Sequence, residues 1–208
     1  MRKIVVAFLL GLVTSAGALA FENGSPNVIL RNTYYYVVLE DEFAQFPVTD
    51  ELRTLDGELL ARVSHQYHRA VDIEGTGRLR DGRIINFAGR KDGEIRYFVS
   101  DARYGYGVGR CQLVPFRTVA VDPEVVALGS VVYIAETDGM KLPGGKVHDG
   151  YWRAEDIGGA IRHDRIDLFV GDGDRGDILT AVHIHNLSPL TVKVVEAPKP
   201  DSCVHQER

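Results

Sequence analysis

Long apolar runs are missing from this 208-residue chain, and so is any excess of positive charge. The longest apolar stretch, Ile4 to Val13, is well short of the roughly 20 residues a membrane-spanning helix needs. A helical membrane anchor is therefore not expected. Lys and Arg total 24 against 29 Asp and Glu, a formal net charge of −5, and loss of Arg2 and Lys3 with a leader would deepen it to −7. That balance argues against nucleic acid or an anionic membrane as partner and suits a neutral, sugar-like substrate. Also missing are a P-loop, a Rossmann fingerprint on a strand-to-helix turn, a Gly-x-Ser-x-Gly elbow and internal repeats, which removes the motif basis for an NTPase, a dinucleotide enzyme or a serine hydrolase. Cysteine is limited to Cys111 and Cys203. In an exported protein these could form a disulfide pinning the C-terminal tail, and two free thiols would read the same in sequence.

What is present begins at the N-terminus. Met1-Arg2-Lys3, the apolar run and Thr14-Ser-Ala-Gly-Ala-Leu-Ala20 make a charged n-region, an h-region and an A-x-A-like cleavage site. Residues 1–20 are thus expected to be a signal peptide and the protein to be periplasmic or secreted. Phe21-Glu22-Asn23 follows the expected cut where a lipoprotein would carry cysteine, so no lipid anchor is expected. The remainder is long enough for one core with a small appendage. The expected domain covers residues 21–197, and 198–208 read as a polar tail.

Residues 21–27 read as a linker, and Val28-Ile-Leu with Thr33-Tyr-Tyr-Tyr-Val-Val-Leu39, β-branched and aromatic, predict a strand. Leu59, Leu60, Val63, Tyr67, Ala70 and Val71 recur at helical spacing and predict one amphipathic helix ending before Gly75-Thr76-Gly77. Beyond it turn signals multiply: Asp81-Gly82, Lys91-Asp92-Gly93, Asp138-Gly139, Pro143-Gly144-Gly145 and Asp149-Gly150. They separate short strands predicted at Arg96–Val99, Thr118–Val121, Ser130–Ala135, Tyr151–Glu155, Arg165–Val170, Ala181–His185 and Leu190–Val195. Many short strands with little helix describe an all-β barrel or sandwich rather than βαβ units.

Three aspartates interrupt or end these apolar strands: Asp122 after Thr118-Val-Ala-Val121, Asp156 after Arg153-Ala-Glu155, and Asp167 within Arg165-Ile-Asp-Leu-Phe169. A carboxylate in apolar surroundings is desolvated and its pKa tends upward, as a general acid near neutral pH requires. Asp156 is the best placed. It stands at a strand end directly before Ile157-Gly158-Gly159, where glycines let a ligand approach the backbone. Asp167 could bond to nearby backbone, Arg162 or Arg165, and Asp122 before Pro123 could cap an Asx turn, both in supporting roles. Trp152 lies four residues before Asp156; an unbroken strand puts both on one face, where the indole could stack on a sugar or fill the core.

Asp122, Asp156-Ile-Gly-Gly-Ala-Ile161 and Ile166-Asp167 resemble the three-aspartate signature of the 3D domain. Upstream, Thr33-Tyr34-Tyr35-Tyr36 is similar to the Thr-Gly-Tyr-Tyr strand of the membrane-bound lytic murein transglycosylase A family. Asp72-Ile-Glu-Gly75-Thr-Gly77, Asp81-Gly82 and Asn86-Phe-Ala-Gly89 resemble that family's Gly-Ser-Gly to Asn-Phe segment, so the likeness runs over most of residues 33–171. The resemblance implies a six-stranded double-psi β-barrel with a small helix-containing insertion or reduced second β-lobe at about 40–110. It implies cleavage of the MurNAc–GlcNAc bond in peptidoglycan glycan strands without water, leaving a 1,6-anhydro sugar, with Asp156 as acid and then base. Glycosidases generally need two carboxyl groups because a water or an enzyme nucleophile is handled separately; here the substrate's own C6 hydroxyl attacks. Thr33 and Tyr35 would line the groove, the Gly75 to Gly77 backbone would offer N–H donors, Asn86 its amide, and Gly158 close approach. No cofactor or metal is implied. The chain departs from the family in Tyr34, where a glycine is usual, and in the shortness of 40–110, which implies a shallower groove. The competing reading is a non-catalytic, expansin-like glycan-binding module or an envelope structural protein whose aspartates only brace the barrel.

Two other signals are set aside. His183 and His185 share a face of the predicted strand Ala181–His185, and with His148 or His163 they could approach a zinc set, but such a pair without nearby cysteine usually decorates a surface. Asp172, Asp174 and Asp177 lack the spacing and terminal glutamate of an EF-hand loop.

Overall fold

The β-branched and aromatic residues near the start do form one strand, β1 (Val28–Leu39), on which the rest is arranged. The structure, a computed structural model, describes residues 26–207; the expected leader and most of the expected linker lie outside the described residues. In chain order follow β2 (Val48–Arg53), β3 (Leu59–Ser64), α1 (His65–Glu74), β4 (Thr76–Arg78), β5 (Ile84–Lys91), β6 (Glu94–Ser100), β7 (Thr118–Val121) and β8 (Val131–Lys141). The chain then forms β9 (Val147–Asp156), β10 (Arg165–Asp172), α2 (Gly176–Thr180) and β11 (Pro189–Glu196). No helix among the described residues is long and apolar enough to cross a membrane.

Six strands close on themselves. β1 runs parallel to β10 and antiparallel to β11; β11 pairs with β8, β8 with β9, β9 in parallel with β7, and β7 with β10. This is the six-stranded double-psi β-barrel, and closure leaves none of the six as an open edge. Alternate residues of the barrel strands fill its interior, among them Leu30, Val119, Val121, Val132, Ile134, Ile166, Leu168 and Val192. Trp152 is fully buried in this core. Its indole N–H donates to Thr137 Oγ1 at 2.9 Å and its ring stacks on His148 with centroids 4.7 Å apart. The core reading for Trp152 is the correct one, and a sugar cannot reach it.

β1 outlasts the barrel. Val38 and Leu39 pair with Gly77 and Arg78 of β4, which continues into β5 and β6, so one strand belongs to the barrel and to a second sheet. Against that sheet α1 packs Tyr67 and Val71 into a separate core with Val38, Leu52, Val63, Ile85 and Tyr97. The β2–β3 hairpin completes this lobe.

Two sequence expectations fail here. Leu59, Leu60 and Val63 lie on β3 rather than on the helix; three apolar residues over five positions fit either period, and pairing with β2 decides for the strand. The helix starts at His65, where Ser64 Oγ accepts the Tyr67 N–H at 3.2 Å, and it stops at Gly75, whose φ of 79° is the left-handed C-cap conformation. Ala181–His185 forms turns and no strand: the amides of 181, 182, 183 and 184 donate to carbonyls only three to five residues back. The strand face on which His183 and His185 would stand together does not exist.

Candidate functional site

Trp152 and Ala154 of β9 point into the barrel, and strict alternation would send Asp156 after them. A bulge prevents it. Val119 of β7 opposes Ala154, but the next residue, Ala120, opposes Asp156, so Glu155 is the extra residue and Asp156 turns to the outer face. On that face Ala120 clusters with Tyr35, Val37, Ile84, Leu113, Ile161 and Phe169, apolar groups from both the barrel and the lobe. Asp156 is half-buried there. Its Oδ2 accepts the Tyr35 hydroxyl at 2.8 Å and its Oδ1 accepts the Ile157 N–H at 2.8 Å. Burial pushes Tyr35 well above the usual phenol range, and the Asp156 carboxylate adds to it, so Tyr35 stays an O–H donor at any physiological pH. The Tyr35 ring is held by Phe169 at 5.0 Å between centroids.

Ala120 is also the register partner of Asp167 on β10, and Asp167 is that of Thr33 on β1. Asp156, Ala120, Asp167 and Thr33 therefore form one row across four strands, and two strand spacings put the aspartate backbones about 10 Å apart. Burial pushes the Asp167 carboxyl up to about 6, opposed by the Thr33 hydroxyl and by Arg165. Its Oδ1 is buried with no hydrogen-bond partner. Asp122 differs: Oδ1 accepts the Glu124 N–H at 3.1 Å in an Asx turn and Oδ2 accepts the His163 N–H at 2.7 Å, and these donors hold its carboxyl below the ordinary value. It fastens the β10 approach to the end of β7.

The remaining sequence candidates sit around this row in unequal ways. Thr33 is half-buried and Arg165 Nη2 donates to it at 3.4 Å. Gly158 accepts the Ile161 N–H at 3.1 Å, closing the turn after Asp156. Asn86 is buried; its Oδ1 accepts the Tyr106 N–H and its Nδ2 donates to Thr76 Oγ1 at 3.3 Å, so the amide is engaged within the protein. The Gly75 N–H donates to Val71 and its carbonyl accepts from Phe87, while the space of a side chain at Gly77 is filled by Tyr67 and Val71. These three brace the lobe. Arg78 ties the lobe to the barrel through Asp172 at 2.7 Å.

Sequence reasoning missed Glu74. It closes α1, and its Oε2 accepts the Tyr36 N–H of β1 at 3.1 Å; burial pushes its carboxyl up to about 7, with Asp167 and Asp174 adding to the rise. A glutamate in the last turn opposes the helix dipole, and that mismatch was the available signal. It missed also the contact made by Glu155, a buried carboxyl pushed up by desolvation, whose Oε1 lies 3.6 Å from Cys203 Sγ. Cys203 is bonded to Cys111. A disulfide sulfur carries no proton, so this is a packing contact rather than a hydrogen bond, and the bonded sulfurs cannot serve with Glu155 as thiolate metal ligands.

Comparison with known proteins bears on part of the chain and on its fold. Residues 117–184 match the model of the 3D domain, a span that begins just before β7 and includes Asp122, Asp156 and Asp167. No curated protein sequence is similar enough to count as a match. Among solved structures, Escherichia coli MltA with bound chitohexaose superposes with a TM-score of 0.55 at 14% identity, covering 80% of this chain and 72% of that one. A membrane-bound lytic murein transglycosylase from Agrobacterium tumefaciens gives 0.53 at 14% identity, covering 81% and 76%. Identity this low speaks for a shared fold, the double-psi barrel with its appended lobe.

Proposed function

We propose that this chain, a 3D-domain protein with the MltA fold, is a peptidoglycan lytic transglycosylase that cleaves the MurNAc–GlcNAc bond and leaves a 1,6-anhydro end. The observation that carries the reading is the β9 bulge, which takes Asp156 out of the barrel interior and sets it on the face between barrel and lobe with the Tyr35 hydroxyl on one oxygen. Protonated Asp156 gives its proton to the glycosidic oxygen as that bond breaks. The substrate's C6 hydroxyl then attacks C1 and passes its proton to the Asp156 carboxylate, so the group ends as it began. Positioned proton transfer of this kind contributes about 10²- to 10⁴-fold. Tyr35, held as a donor, steadies the carboxylate between the two steps. Thr33, Asp167 and Gly158 line the sugar site, Asp122 supports it, and residues 40–110 serve as a reduced second wall. The E. coli structure holds a chitooligosaccharide on the same fold, which favours a glycan ligand. An exported location, periplasmic or secreted, agrees with the disulfide.

The test digests purified sacculi with wild type and Asp156→Asn and reads the products by mass spectrometry. Anhydro ends from wild type alone support the mechanism. Hydrated reducing ends would mean a hydrolase with a second carboxyl group, for which Asp167 is placed on the same face. Glycan binding without cleavage would favour the non-catalytic module.

A further inference from the structure

We infer that the Cys111–Cys203 disulfide positions Asp156, by locking the loop between β6 and β7 against the flank of that carboxylate, and that opening the bridge slows turnover while the barrel stays folded. The inference deepens the transglycosylase reading and rests on it.

One side of the loop touches Asp156. A Cβ on Gly107 would lie 3.1 Å from both Asp156 Cβ and Cγ and closer still to the Glu155 carbonyl, so the backbone lies on the carboxylate's stem. The next residue holds it there, the Val108 N–H donating to Glu155 O at 2.9 Å. Residues 107–111 then close a tight turn, with Gly107 N–H donating to Cys111 O at 2.9 Å and Cys111 N–H to Val108 O at 3.1 Å. The other side is held by the C-terminal tail. Arg110 N–H donates to Cys203 O at 2.9 Å, and a Cβ on Gly109 would fall 2.8 Å from Gln206 O and 2.9 Å from Val204 O. The disulfide is the covalent tie between turn and tail, joining residues 92 apart. A second route reaches the same point, since Glu155 lies against Cys203 Sγ and is the bulged residue that aims Asp156.

Opening the bridge takes two electrons and two protons from a dithiol reductant, which is itself oxidised to a disulfide; the S–S bond breaks and two S–H bonds form. The two thiol sulfurs can no longer sit at bonding distance. The turn then keeps only a few main-chain hydrogen bonds near the surface, the class of contact that opens most readily. Loss of precise placement in a catalytic group costs rate more than substrate binding.

The test uses the full chain in three forms: wild type with and without dithiol reductant, the Cys111→Ser/Cys203→Ser double variant, and Gly109→Ala, which keeps both cysteines but disturbs the turn–tail contact. Turnover of sacculi is measured beside amide exchange at Val108. The expected result is kcat lower by about ten- to a hundredfold with KM changed less than about threefold, Val108 exchanging at least about tenfold faster, and recovery of the wild type on reoxidation. Gly109→Ala, read in the same way, stands in if the double variant does not fold. Unchanged Val108 exchange, or unchanged kcat in a folded and unbridged chain, overturns the inference. If wild type releases no anhydro ends, the transglycosylase reading fails by itself, and Val108 exchange still decides whether the bridge holds the loop.

Discussion

Glu74→Gln should stabilise the protein at alkaline pH and leave it unchanged at acid pH. The glutamine keeps an oxygen for the Tyr36 N–H, which Glu74 Oε2 now accepts at 3.1 Å, and removes only the ionisable group. An acid whose folded pKa is raised costs nothing below its ordinary value, where folded and unfolded chains are both protonated. It costs most above the raised value, where the fold must hold a buried charge that the unfolded chain leaves in water. For Glu74 the window runs from the ordinary 4.5 to about 7. At about 1.4 kcal/mol per tenfold change this amounts to about 3 kcal/mol, an upper value because part of the carboxyl still meets solvent. Wild type loses that stability as pH rises through the window, and the variant does not. For a chain of this size each kcal/mol moves Tm by about 2–4 °C, so at pH 8.5 the variant should melt higher by up to about 6–12 °C, and at pH 4 within about 2 °C of wild type. Circular dichroism melts across that range decide it. Equal stabilisation at both ends of the range would mean that the charge is not the cause, and destabilisation at pH 8.5 would mean that the fold favours the charge; either result would refute the reasoning.

Tyr35→Phe removes the 2.8 Å hydrogen bond to Asp156. A bond to a charged group is worth about 1.5–3 kcal/mol, so the alkaline limb of sacculus digestion should move up by about one to two pH units; an unmoved limb would show that the hydroxyl does not act on the acid. Gly107→Ala places a methyl against the Glu155 carbonyl and 3.1 Å from Asp156 Cγ, and kcat should fall at least about tenfold in a protein that still melts cooperatively. Full activity in that variant would mean that the loop yields freely. Trp152→Ala empties the middle of the barrel and strips Thr137 Oγ1 of its 2.9 Å partner. Urea unfolding should show a loss of about 3–5 kcal/mol, and a loss below about 1 kcal/mol would place the tryptophan outside the core.

Much of the barrel was legible in the chain itself. Thr118–Val121 matches its prediction to the residue, β9, β10 and β11 each contain the segment predicted for them, and β8 contains all of its segment but the first residue, Ser130. Strands of β-branched residues bounded by Asp-Gly and Gly-Gly turns carry their own punctuation. The end of α1 was legible for the same reason, because Gly75 stops a helix through its own backbone, and so was the Asx turn at Asp122, which is made by residues two apart. What failed locally failed where a short apolar segment suits two periods, as at Leu59 and Val63, or where a β-branched run closes turns on itself, as at Ala181 to Ile184.

The site was decided elsewhere. Period-two reading assigned Asp156 and Trp152 to one face, and only the register of β9 against β7 shows that one extra residue separates them, sending the tryptophan inward and the acid outward. The row that joins Asp156 through Ala120 to Asp167 and Thr33 draws on four strands spread over more than a hundred residues. Glu74 reaches the Tyr36 N–H of β1 from a helix, and the bridge of Cys111 to Cys203 comes from a tail that reads as polar spacer. Local conformation depends on a residue and its near neighbours, so the chain alone determined strands, caps and turns. Which face a side chain shows, which carboxyl loses its water and which residues meet depend on pairing between distant segments, and those the tertiary structure alone decided.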